Sequence, residues 1–172
     1  MRSTEAGMTN SLESRANDLV NPNSGIANDY LNHFNEILLL IENLPILLPE
    51  MLDEMLAWKP VGYREYFTNS ALPGRQHALE IYNGLDAEFR QEFESMVRIL
   101  DAIVVRSIEL VTEHRSPDGT LDPDGIEDIC EQLAADMHIV FNRTADLVNF
   151  GYAAPLRPPQ EIVDRILSSK IG

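Results

Sequence analysis

A chain of 172 residues, 44% of them apolar, is long enough for one domain with a substantial core. Its 28 acidic and 13 basic residues leave a net charge of −15. That balance argues against nucleic acid and anionic membranes as partners, because both recruit Lys and Arg; it suits solubility or an acidic face for a basic protein.

The first 23 residues are polar and short of large apolar side chains, so 1–23 are expected to be a flexible tail. They also lack the apolar stretch of a signal peptide. Residues 24–172 are expected to form a single helical domain. Its first helix is expected over about Gly25 to Asn43. Ile26, Tyr30, Phe34, Ile37, Ile41 and Leu44 recur there at three- and four-residue steps, and Asn28, Asn32 and Asn35 share the opposite face. Leu38, Leu39 and Leu40 make the end of this helix apolar nearly all round, more than one bundle easily covers. Pro45 is expected to end it, with Pro49 opening a second helix over about Glu50 to Trp58. The two together read as a tight hairpin at the heart of the core.

A loop from Lys59 to Gly74, with a short helix near Tyr63 to Phe67, leads to a third helix over Arg75 to Asn83 that stops at Gly84. Asp86 is expected to cap a fourth helix running to about Glu113. Its stripe is Phe89, Phe93, Met96, Leu100, Ile103 and Val111, widened by Val97, Val104 and Ile108. After the turn-rich segment 115–124, Asp124 is expected to cap a fifth helix. Ile126, Cys130, Leu133, Met137, Val140, Thr144 and Leu147 form a heptad-like seam there, suited to small crossing angles. Beside it runs a second row, Ala134, His138, Phe141, Ala145 and Val148. Gly151 stops this helix. Residues 152–172 read as a Pro-rich linker and a short helix over about Gln160 to Lys170. No segment alternates with a period of two. The expected fold is all-α, an antiparallel helical bundle of about four main helices with short accessory ones.

No run of about eighteen uncharged apolar residues is present to span a membrane. The single cysteine, Cys130, has no disulfide partner within the chain. A reducing, cytoplasmic setting is expected.

Phosphate loops, nucleophile elbows, zinc helices and paired Glu-x-x-His motifs are all missing from the sequence. Asp122, Asp124 and Glu131 around Gly125 resemble part of an EF-hand calcium loop. Thr120 brings no carboxylate to the first ligand position, and Glu127 stands where an apolar residue belongs. Asp124 as a plain helix cap explains the same residues. The histidines, His33, His77, His114 and His138, lack the three- or four-residue spacing of a ligand pair. His33 and His138 border core faces and hold a metal only if their helices bring them together. No metal, cofactor or catalytic residue is assigned.

The segment from Trp58 to Arg75 is chemically distinct. Three cations, Lys59, Arg64 and Arg75, face one acid, Glu65, in an otherwise acidic chain, beside Trp58, Tyr63 and Tyr66. Such residues can clamp an anionic ligand, or they can plug the end of a bundle while the arginines pair with acids. Trp58, Lys59, Tyr63, Arg64, Tyr66 and Arg75 are therefore the candidate ligand-binding residues. Two functional classes follow. The first is a non-catalytic, self-associating helical protein of the interaction or regulatory kind, pairing as a homodimer or with another protein. The second is a small-molecule-binding or enzymatic bundle using this segment. A flat exposed apolar face favours the first, and a pocket lined by these aromatics favours the second.

Overall fold

The computed structural model describes residues 19–151. After a 3-10 turn, Asn28–Leu31, come α1 (Asn32–Leu47), α2 (Leu52–Ala57), α3 (Tyr63–Asn69), α4 (Arg75–Asn83), α5 (Ala87–Glu113) and α6 (Pro123–Phe150). The described residues hold no strand, only an isolated bridge between Val20 and Ala27. The fold is all-α. The expected helix over Gln160 to Lys170 and its linker lie outside the described residues, as does the tail up to residue 18.

Local chemistry sets the helix ends. Asp86 caps α5, its carboxylate accepting from the backbone N–H groups of Glu88 and Phe89 at 3.1 Å each. Gly84 closes α4, and Gly151 closes α6 with a φ of 68°, a conformation that glycine adopts without strain. The start of α6 differs from expectation. Asp122, not Asp124, occupies the cap position, and Pro123 begins the helix. Proline's fixed φ suits a first helical turn. Asp124 falls inside that turn, where a carboxylate favours the positive end of the helix.

The core forms where α6 packs against both α1 and α5. All six residues of the first-helix stripe are buried, as are all seven of the α6 seam and all six of the main α5 stripe. Buried hydroxyls turn back to their own helices: Ser107 donates to the Ile103 carbonyl at 2.7 Å, and Thr144 to that of Val140 at 2.8 Å. Asp136 is also buried, accepting from the Gln132 amide.

Four differences from the sequence reading bear on function. First, regular helix begins at Asn32 rather than Gly25. Gly25 has a φ of 73°, and Ala27 is extended before the 3-10 turn. Second, residues 19–23 are held to the body: Val20 is buried, and the Asn23 amide donates to the Asn149 carbonyl at 2.7 Å. Third, Pro45 does not end α1, which runs on to Leu47. Proline forfeits one hydrogen bond, to the Ile41 carbonyl, but Ile41 and Leu44 are both fully buried, and their packing carries the helix past it. Fourth, the stretch expected at the heart of the core is partly outside it. Ile46 is 82% exposed, and α2 has only six residues, burying Leu52 and Met55.

Candidate functional site

The segment from Trp58 to Arg75 is folded against an aromatic cluster centred on Tyr30, whose hydroxyl donates to the Val61 carbonyl at 2.7 Å. The structure distributes the six candidate residues among separate surroundings. Trp58 stacks on His33 with ring centroids 4.8 Å apart, and its indole N–H reaches the His33 carbonyl at 3.4 Å. Tyr66 donates to the Asp29 carboxylate at 2.8 Å; burial, then that carboxylate, pushes its phenol up to about 12. Lys59 and Arg75 are exposed. Tyr63 and Arg64 alone of the six line a hollow, about 390 Å³ in volume, enclosed by the first turn of α3, Tyr82 of α4 and one face of α5.

Aromatic packing builds the floor of this hollow. Tyr63 and Tyr82 stack at 4.1 Å, and Phe93 meets both edge-on. Tyr63 is fixed from behind, its hydroxyl accepting from the buried Ala27 N–H at 3.0 Å. Burial pushes its phenol up to about 12, against the lowering effect of that N–H. Arg64 is already engaged three ways. It donates to Asn83 Oδ1 at 2.8 Å, lies 3.5 Å from Glu94, and sits over the Tyr82 ring at 5.1 Å. Glu94 also accepts from the Tyr82 hydroxyl at 2.9 Å. Burial, and then that carboxylate, raises the Tyr82 phenol well above its ordinary value.

Asp101 lies on the same face of α5 and also lines the hollow. Its Oδ1 is buried without a hydrogen-bond partner. Burial pushes its carboxyl up to about 6 from an ordinary 3.8. Arg98, one turn earlier, is exposed and lines the hollow too, yet forms no ion pair with Asp101. The sequence reading missed Asp101, although a signal existed. Val97, Val104 and Ile108 widen the α5 stripe, and Asp101 occupies the missing step of that row.

His33 and His138 have separate surroundings. His33 is enclosed by Trp58, Tyr30 and Phe34, and burial lowers its pKa. His138 pairs with Glu42, which lies about 13 Å farther along α1 than His33 at the helical rise. Asp124, Glu127 and Glu131 stand on the regular helix α6 instead of a calcium-type loop. Among the described residues, no group of three metal-ligating side chains comes together.

A second feature is the outward side of α1. Leu38 is buried and Leu40 is half-buried, so one chain covers two of the three consecutive leucines. Leu39 remains 50% exposed, and Ile46 and Leu47 follow it at the surface. Beside them an open groove of about 650 Å³ runs between α1 and α6, crossed by the pair Glu42 and His138. Among the described residues no helix is long and apolar enough to cross a membrane. Comparisons of the chain with family models, curated proteins and solved structures give no match.

Proposed function

We propose that the chain is a non-catalytic, self-associating helical protein of the interaction or regulatory kind, pairing as a two-fold dimer through the outward side of α1. The observation that carries this reading is the uncharged row along that side. Asn32, Asn35, Leu39, Asn43 and Ile46 follow one another at three- and four-residue steps, flanked by Glu36 and Glu42. Two copies of a chain with a net charge of −15 repel wherever their acids meet. A neutral row with apolar side chains is the surface that a second identical copy meets at least cost, and a two-fold axis sets it against itself. A basic partner would instead call for acids along this side.

The framework behind this row is an antiparallel helical bundle. The pairing of Glu42 with His138, and of Asn23 with Asn149 at the other end of α6, supports opposite directions for α1 and α6. The lone, buried thiol of Cys130 supports a reducing, cytoplasmic setting.

Light scattering and sedimentation of the full chain test the reading. The expected result is a dimer at micromolar concentration, which Ile46→Glu converts to a monomer without changing the helical signal. A strict monomer at high micromolar concentration would overturn it.

A further inference from the structure

We propose that the stack of His33 on Trp58 is a pH-sensitive latch: a proton taken up by His33 releases the strap from Trp58 to Gly62 while the helices stay folded. The latch shares no residue with the outward row of α1, and the proposal stands independently of self-association.

The strap joins α2 to α3 without helix of its own, and its Lys59, Pro60 and Gly62 are exposed. Two side-chain hydrogen bonds tie it to the body. The Tyr30 hydroxyl donates to the Val61 carbonyl at 2.7 Å, and the Trp58 indole N–H reaches the His33 carbonyl at a long 3.4 Å. At its start the hold is mostly ring contact. Trp58 lies on the His33 ring with centroids 4.8 Å apart and 20° between the planes, and it tilts against Phe34 at 6.2 Å. A segment with few contacts and exposed backbone opens locally at less cost than the core. Opening here uncovers Phe34, which is otherwise fully buried.

His33 couples this opening to protons. Its Nε2 is buried and has no hydrogen-bond partner. In the imidazolium both ring nitrogens are donors, so protonation in the closed form leaves a charged N–H buried with no acceptor. The indole face attracts a cation stacked on it, but that attraction is smaller than the cost of an unmet, buried, charged donor. The charged groups on the surrounding elements do not meet it. Asp29 in the 3-10 turn is occupied by Tyr66 and Asn32. Glu36 on α1, Asp53 and Glu54 on α2, and Arg64 and Glu65 on α3 are exposed, and the strap itself brings only a cation, Lys59. Burial lowers the His33 pKa from its ordinary 6.5, against the raising effect of a hydrogen bond with the Lys59 backbone. The closed latch is therefore fully favoured above about pH 6.5 and loses stability as the pH falls below it, because the opened form takes the proton more readily.

Trp58 is the only tryptophan, so the full chain gives one indole N–H signal. Its exchange with solvent, measured by NMR relative to free tryptophan at the same pH, reads the opening. Protection should fall about tenfold between pH ~7.5 and ~5.5, the factor by which a group of pKa about 6.5 drives the opened form. At the higher pH the indole should be protected at least about tenfold less than the Met137 amide in the α6 seam, which exchanges only when the bundle unfolds. His33→Phe keeps a ring for Trp58 to stack on but takes no proton, and its indole protection should stay constant over that range. Circular dichroism shows that the variant is folded, and His33→Gln makes the same comparison if it is not. The proposal is overturned if the parent's indole protection is the same at both pH values, or if it equals that of Met137. It is equally overturned if the variant that cannot titrate shows the same fall.

Discussion

The seam of α6 and the hollow beside Asp101 handle polar groups in opposite ways. Along the seam the one polar position is Thr144, and its hydroxyl returns to the Val140 carbonyl 2.8 Å away. Nothing there needs an outside partner. Beside the hollow, Asp101 is half-buried, and its Oδ1 is cut off from water without meeting a hydrogen-bond donor. The first region adds stability, while the second holds back some of it.

The sharpest way to break this contrast is to give the seam the defect of the hollow. Met137 is fully buried in mid-seam. Met137→Asp should cost ~4 kcal/mol, because the new carboxylate has no partner and no water. Thermal unfolding followed by circular dichroism should show a melting temperature lower by roughly 10 °C or more. An unchanged melt would mean that Met137 does not lie in a packed seam.

A smaller effect is expected on the floor of the hollow. Tyr63→Phe strips the acceptor from the buried Ala27 N–H. The loss should be ~2 kcal/mol, the usual cost of an unsatisfied buried donor, read as a lower denaturation midpoint. A change within error would show that water replaces the phenol.

Asp101→Asn should act in the other direction. The carboxyl is pushed up to about 6 in the folded chain, so the folded state holds its proton more tightly than the unfolded state does. This group's contribution is therefore most favourable below about pH 4 and is lost as the pH rises through about 6. At neutral pH the variant should be more stable than the parent by ~1 kcal/mol, a figure already reduced for the water that screens a half-exposed group. The advantage should vanish on acidification towards pH 4. An advantage that is the same at both pH values would remove the titration argument.

The smallest effect on stability belongs to the surface. Ile46→Glu should shift the monomer's unfolding free energy by no more than ~0.5 kcal/mol, as exposed positions generally do. A larger loss would place Ile46 in a contact within the chain.

Much of the fold was legible in the residues. The stripes of the first helix, α5 and α6 were readable because burial on a helix repeats at three and four residues, and side chains of one type mark the repeat. Asp86, Gly84 and Gly151 announced helix ends through chemistry local to a few residues. Pro45 misled because the cost of a lost hydrogen bond is local, whereas the burial of Ile41 and Leu44 that offsets it is not. The candidate site was legible only in part. Tyr63 and Arg64 stood out through the composition of their segment, but Trp58 and Tyr66 carried the same signal and were drawn into contacts with His33 and Asp29.

The sequence by itself determined an all-α chain, the positions of its long helices and the sides they bury, since each follows from spacing within one segment. Only the tertiary structure decided which polar groups remain unsatisfied. Asp101 looks like any acid beside an apolar row until the tertiary fold buries its Oδ1 without supplying a hydrogen-bond donor. Hydrogen-bond satisfaction depends on partners distant in sequence, and no periodicity within a helix records whether they arrive.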